Sequence, residues 1–268
     1  MTKTLIRQIK NSVLILVTIL VAGCGGETTS IETPRQLVEA MKAKYDGEWY
    51  NTLTFTQETI QYRSGVADTS IWYEALSLPG KLRIDIAPME SGNGLLFVND
   101  KRYVFRADTL LFERDEIHPL MILGFDAYVQ EPQVTLAKLD SLGFDLTVLS
   151  EAEWNRRPVY VVGAHAGDLR TSQFWIDKEL LVFVRVIQPG GIGNQSLVDI
   201  RFRDFQTVGG GWVAPTVEFY LDGTLSILEY YSDIVVDREM SADLFEPDAW
   251  ATATHWMSED GDAEDVGP

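Results

Sequence analysis

Few side chains of this 268-residue sequence could do chemistry. The three histidines, His118, His165 and His255, are far apart, and Cys24 is the single cysteine. His165 precedes Asp168 at the end of an expected strand, and an imidazole beside a carboxylate could serve a hydrolase as general base. Nothing joins that pair. The chain has no Gly-x-Ser-x-Gly, no His-Glu-x-x-His and no phosphate loop. Gly190-Gly191-Ile192-Gly193 lies between strands and reads as a turn. Glu259, Asp260, Asp262, Glu264 and Asp265 lack the spacing of a calcium loop and read as a solvated tail. The sequence therefore predicts a protein that is not an enzyme and holds no metal. One cysteine excludes an internal disulfide framework. A formal charge of −18 without a basic cluster excludes a nucleic-acid partner.

Cys24 has a context of its own. Lys3, Arg7 and Lys10 precede an apolar run from Val13 to Ala22. Helical, this run would span ~15 Å, about half of a bilayer's hydrocarbon core, so it reads as a secretory signal rather than a membrane span. It ends in Leu20-Val21-Ala22-Gly23-Cys24, which resembles the lipobox of bacterial lipoproteins. The resemblance implies cleavage between Gly23 and Cys24, a covalent acyl and diacylglyceryl anchor on the Cys24 thiol, and no other cofactor. It also implies a place in the bacterial cell envelope. Gly25 is not acidic, which favours the outer membrane, facing the periplasm. Each buried methylene contributes ~0.8 kcal/mol, so several acyl chains hold a protein almost irreversibly. Without the signal, 19 basic residues face 40 acidic ones. Anionic headgroups repel such a domain, and the acyl chains must anchor it alone.

The remaining chain supplies elements rather than reactive groups. Thr33-Pro34 reads as an N-cap and first helical residue, Leu37, Val38, Met41 and Tyr45 recur at helical spacing, and Gly47 stops the helix. From Tyr50 the period becomes two, with Leu53 and Phe55 alternating with threonines. Asn99-Asp100 and Asp222-Gly223 mark hairpins. Pro119–Val129 and Pro132–Leu142 read as two short helices, and strands resume at Leu146 and run to Tyr231. The chain divides into a signal peptide (1–23), a lipidated tether (24–33), one domain (34–250) and an acidic, disordered tail (251–268). Consecutive hairpins imply an antiparallel meander. About eleven twisted strands cannot lie flat, so a mainly β fold is predicted, a curved antiparallel sheet forming an unclosed half-barrel. Three short helices are too few for a layer and are the natural filling of its concave face.

Trp72, Leu76, Phe97, Tyr103, Phe105, Trp175, Phe183, Phe202 and Phe219 fall on these strands. Both a packed core and the wall of a lipid cavity want such side chains. Ile71–Leu78 and Leu181–Ile187 are apolar on both faces, so something must cover the second face: a helix, a ligand or a partner.

This order of elements resembles the outer-membrane lipoprotein-sorting proteins, the LolA/LolB-like superfamily. Leu78-Pro79-Gly80-Lys81-Leu82-Arg83 is similar to that family's turn before a strand with Arg. Phe174-Trp175-Ile176-Asp177 resembles its aromatic-Ile-Asp strand end. Asp204-Phe205 with Gly211-Trp212-Val213-Ala214-Pro215 resembles its late strand pair, and Leu244-Phe245-Glu246-Pro247 its closing segment. The likeness runs from Gln36 to Pro247. It implies a half-barrel whose hydrophobic cavity holds the acyl chains of a lipid or lipoprotein, with those aromatic residues on its wall. It implies a carrier or acceptor in envelope lipid trafficking or, as the alternative, a periplasmic sensor that grips a protein partner. The anchor at Cys24 favours a receptor-like branch, in which Met89, in the Pro88–Asn93 loop, occupies the place of an exposed apolar loop residue. The carriers' lid-gating Arg has no match here, since Arg83 fits only a strand motif.

Overall fold

Thr33 opens the first helix by a local exchange. Its hydroxyl accepts from the Gln36 N–H (3.2 Å) and the Gln36 side chain accepts from the Thr33 N–H (3.1 Å), which satisfies two donors that the helix itself leaves open. α1 (Pro34–Lys44) then buries Leu37, Val38 and Met41 on one face. This computed structural model describes residues 30–190 and 195–257. The signal peptide, Cys24, Met1 to Thr29 as a whole, and the acidic stretch from Ser258 lie outside those residues.

Six strands follow α1: β1 (Thr52–Arg63), β2 (Val66–Ser77), β3 (Lys81–Ile86), β4 (Gly94–Val98), β5 (Lys101–Arg106) and β6 (Thr109–Asp115). Two helices come next, α2 (Pro119–Gly124) and α3 (Pro132–Ser141), with a 3-10 turn at Asp126–Tyr128 between them. The remaining strands are β7 (Leu149–Trp154), β8 (Arg157–Val162), β9 (Gln173–Asp177), β10 (Phe183–Gly190), β11 (Ser196–Arg203), β12 (Gln206–Val208), β13 (Gly211–Val213), β14 (Thr216–Leu221) and β15 (Thr224–Val236). Thirteen strands form one antiparallel sheet in the order β6-β5-β4-β3-β2-β1-β15-β14-β11-β10-β9-β8-β7, while β12 and β13 pair separately. The outermost strands, β6 and β7, do not pair with each other, so the sheet is open. Asn99-Asp100 and Asp222-Gly223, all at positive φ, make the hairpin turns their sequences predict.

Thirteen strands replace the expected count of about eleven. β6 escaped the sequence reading because all seven of its residues are exposed, and an edge strand with no buried face has no alternation. The expected helix Pro119–Val129 breaks after Gly124 into α2 and the 3-10 turn. The expected strand at Leu146–Leu149 instead begins at Leu149.

Two apolar clusters hold these elements. The larger joins α1, α2, α3 and the 3-10 turn to the sheet and includes residues from both faces of β8 and β9. The smaller lies on the face opposite the helices, where Leu244, Phe245, Trp250 and Trp256 cover Ala75, Leu96, Val98 and Phe105. This is the cover that a strand apolar on both faces requires. Within 251–257, His255 and Trp256 are buried, while Ala251, Thr252 and Thr254 are exposed. No helix among the described residues is long and apolar enough to cross a membrane.

A cavity between the sheet and the second helix

Alternation on the central strands decides what faces the interior. Leu53, Phe55 and Gln57 of β1 oppose Leu76, Glu74 and Trp72 of β2, and β3 continues the row with Leu82 and Ile84. Phe97 and Leu95 of β4 pair with these in turn. On the other side of β1 the same face carries Tyr231, Glu229 and Ile227 of β15, then Phe219 of β14 and Phe202 of β11.

The interior above this face is filled at one end and open at the other. Under α1, Trp49 stacks on Tyr128 (3.9 Å between centroids), Tyr45 meets both edge-on, and the Tyr128 hydroxyl accepts from the Phe183 N–H (3.0 Å). Phe144 packs edge-on against Phe174 of β9. A gap of about 20 Å³ beside Phe183 remains, room for about one water. Over β2–β5 and β14–β15 the cover comes from α2 and the segment before it. It leaves a cavity of about 260 Å³, lined by Phe55, Trp72, Leu76, Ile84, Phe97, Phe202, Phe219 and Ile227 and capped by Leu120, Met121 and Phe125. An apolar cavity of ~150 Å³ suffices for a benzene-sized molecule, so this one has room for a chain segment.

Of the nine wall residues the sequence proposes, the structure brings Trp72, Leu76, Phe97, Phe202 and Phe219 together on this cavity. Phe183 lines the small gap. Tyr103, Phe105 and Trp175 lie on the opposite face of the sheet. Phe105 stacks on Trp250 (4.2 Å), and Tyr103 packs in the same cluster. Trp175 shares the Arg185 guanidinium with Trp154, 4.5 Å from each ring. Period two separates the faces of a strand but does not label them when both are covered; on β5 the inward residues are Arg102 and Val104. Met89 sits half-buried in a 3-10 turn at Met89–Ser91.

Polar groups on the cavity wall escaped the sequence reading altogether. Glu74 is 7% and Glu229 8% exposed. Burial pushes the Glu229 carboxyl up to about 8, against the Tyr231 hydroxyl, which donates to it (3.1 Å). Burial, then the nearness of Glu229, raises Glu74 well above the carboxylate range. At pH 7 the Glu229 carboxyl is then mostly protonated. At the rim Arg102 pairs with Glu116 (3.3 Å). His118 caps α2 by accepting from the Met121 N–H, and burial pushes its imidazole down to about 4. The one available signal was a charged residue in an inward register: Glu74 alternates with Trp72 and Leu76.

Asp168 spends its carboxylate on its own turn, with His165 nearby. Asp168 accepts from the Arg170 and Thr171 N–H groups and the Thr171 hydroxyl, closing a surface turn, and these bonds hold its carboxyl low. Among the described residues no cluster could hold a metal ion.

No family model and no curated protein matches this chain in sequence. Solved structures do match it in shape. A domain described as an outer membrane lipoprotein-sorting protein from Vibrio parahaemolyticus aligns with TM-score 0.56 and 14% identity, over 81% of this chain and 97% of its own. A DUF1329 family protein from Desulfovibrio piger gives TM-score 0.55 and 15% identity over 81% and 97%. A LolA superfamily protein from Nitrosomonas europaea gives 0.51 and 13% over 80% and 98%. The chain shares the fold of these three structures: mainly β, with helices beside a large antiparallel sheet that does not close into a barrel.

Proposed function

We propose that this chain is a non-enzymatic, lipid-anchored envelope protein that takes up the acyl chains of a lipid or lipoprotein, as carrier or acceptor. The supporting observation is the apolar cavity of about 260 Å³ under α2. In this reading the sheet is a half-barrel, its helices lie on the concave face, and the short α2 is the movable part of the cover. The lipobox-like segment tethers the domain through acylated Cys24 at the outer membrane, and the tether from Gly25 sets its reach. Cavity and bilayer offer a methylene similar free energy, so a carrier works near balance and small affinity differences set direction.

The first test is native mass spectrometry with lipid extraction on residues 25–268 expressed in the periplasm. This piece retains the compact unit that begins at Ile31. A co-purified acylated species is expected; ligand-free protein that also fails to take up a fluorescent fatty acid overturns the reading. Anchoring is checked separately: labelled palmitate enters the full chain and not Cys24→Ala.

One observation favours a protein partner as the second reading. Edge strand β6 exposes Leu110, Leu111 and Phe112 beside its unpaired backbone, a template for strand addition. Loss of a captured periplasmic partner on Leu111→Lys, in protein that carries no lipid, would favour it.

A further inference from the structure

Glu74 and Glu229 do not suit a cavity made for hydrocarbon alone. A carboxyl buried without a partner is costly, and an acyl chain gives it nothing in return. Glu74 projects from β2 between Phe55 and Ile84 of the neighbouring strands. Among the described residues no hydrogen bond or ion pair reaches its carboxyl. Glu229, on β15, has two neutral neighbours, the Tyr231 hydroxyl and the Gln57 amide, and no cation. Gln57 lies on the strand between them, its amide donating to Thr59 (2.7 Å). The one cation on the cavity wall, Arg102, is held by Glu116. Two carboxyls therefore share an apolar space with no counter-charge from the chain.

A hydroxyl on a ligand would exchange a hydrogen bond with one carboxyl and bring no charge to either. A phosphate or carboxylate would place a second anion beside any acid that ionises. A cation alone lets a buried carboxyl ionise and pairs with it there. We infer that the cavity selects an amphiphile bearing a primary ammonium beside its apolar chain, with no phosphate between, and that Glu74 and Glu229 receive the ammonium. The inference rests on the reading of the cavity as a chain-binding site and names the chemistry that site prefers.

Binding should then release protons, because a bound ammonium favours the ionised carboxyls. The groups facing Glu74 are Glu229 and Tyr231 on β15, Arg102 on β5, and Glu116 and His118 on the segment before α2; β1, β3 and α2 present uncharged side chains there. His118 is already neutral above pH 6. A rise in amine affinity between pH 6 and 8.5 therefore reports the two acids.

The test is displacement of N-phenyl-1-naphthylamine from residues 25–268 by four compounds with one twelve-carbon chain: dodecylamine, dodecanol, dodecanoate and lysophosphatidylethanolamine. At pH 7.5 dodecylamine is expected to bind about tenfold tighter than the others, the equivalent of a one-unit pKa shift. Glu74→Gln/Glu229→Gln should lose that preference and keep dodecanol binding. Should the double variant misfold, calorimetry of the wild type in two buffers keeps the test open: proton release with dodecylamine and none with dodecanol. Dodecanol or dodecanoate matching dodecylamine overturns the inference and leaves the cavity standing. Lysophosphatidylethanolamine matching it overturns the exclusion of phosphate. Displacement by none of the four overturns both the inference and the chain-binding reading.

Discussion

Glu229 carries its carboxyl to about 8 in the folded chain, against about 4.5 when unfolded. Folding therefore holds a proton that the unfolded chain gives up. The stability this group supports is complete below pH 4.5 and is lost as the pH rises toward 8. Glu74 acts in the same sense, and Asp126, raised by burial to about 6, adds to it over the lower part of the range. Asp199 runs the other way. Burial opposes its ionisation, but Arg185 and Arg201 hold it below the usual range, so its contribution is lost only as the pH falls below about 4. His118, pushed down to about 4 by burial, also gains stability as the pH rises toward 6.5, so the raised acids Glu74 and Glu229 act unopposed only above that. The urea midpoint should accordingly fall between pH 6.5 and pH 8, and Glu229→Gln should flatten that fall. A wild-type midpoint constant over this range would mean that these carboxyls are solvated.

The C-terminal segment shows what one buried ion can do for an element. Arg83 of β3 donates to both oxygens of Asp85 (2.8 and 2.9 Å) and to the Leu244 and Trp250 carbonyls, and its guanidinium lies 3.9 Å from the Trp250 ring. His255 Nε2 closes the network on Asp85 (3.1 Å). The sheet's outer face thus grips a segment with little regular structure of its own. Arg83→Ala removes one partner of a buried pair and should cost about 3–5 kcal/mol. Because the segment is held at few points, limited proteolysis should release residues beyond about 238 from the variant before it cuts the sheet. If Arg83→Ala lowers the midpoint and the segment stays protected, Trp250 and Phe245 suffice to hold it. α2 is an element of the opposite kind, six residues with a histidine cap and an empty space beneath. It buries Met121, Ile122 and Leu123, but so short a helix has few internal hydrogen bonds to hold its amides and opens locally at low cost. Its amides should exchange faster than those of α1 in the empty protein, and slow when the cavity is filled.

At the scale of the whole molecule, the interior is a core at one end and a vessel at the other. α1, α3 and the aromatic stack of Tyr45, Trp49 and Tyr128 occupy the space over β8–β10, and the sheet's other half keeps its opening. Filling the vessel should therefore spare the fold. Ile227→Trp places a large ring in the cavity from a half-buried position. It should abolish displacement of N-phenyl-1-naphthylamine while changing the melting temperature by only a few degrees, since overpacking costs ~1–3 kcal/mol where there is no room and less where there is. Unchanged displacement in a folded variant would show that the probe sits elsewhere.

The sequence by itself determined the local elements. The Thr33–Gln36 cap, the hairpins at Asn99-Asp100 and Asp222-Gly223 and the strand periods are written in neighbouring residues, because turn and cap chemistry acts over two to four positions. The succession of hairpins gave an open antiparallel sheet, and short motifs pointed to the LolA-like fold. Tertiary structure alone decided which face of each strand is inside. Phe97 and Phe105 look alike in sequence, yet one lines the cavity and the other lies under Trp250, because a C-terminal segment far away in the chain covers the second face. It decided equally that Glu74 and Glu229, separated by most of the domain, stand on strands either side of β1. Closing β15 onto β1 joins the two ends of the meander, and no local rule of spacing carries that pairing.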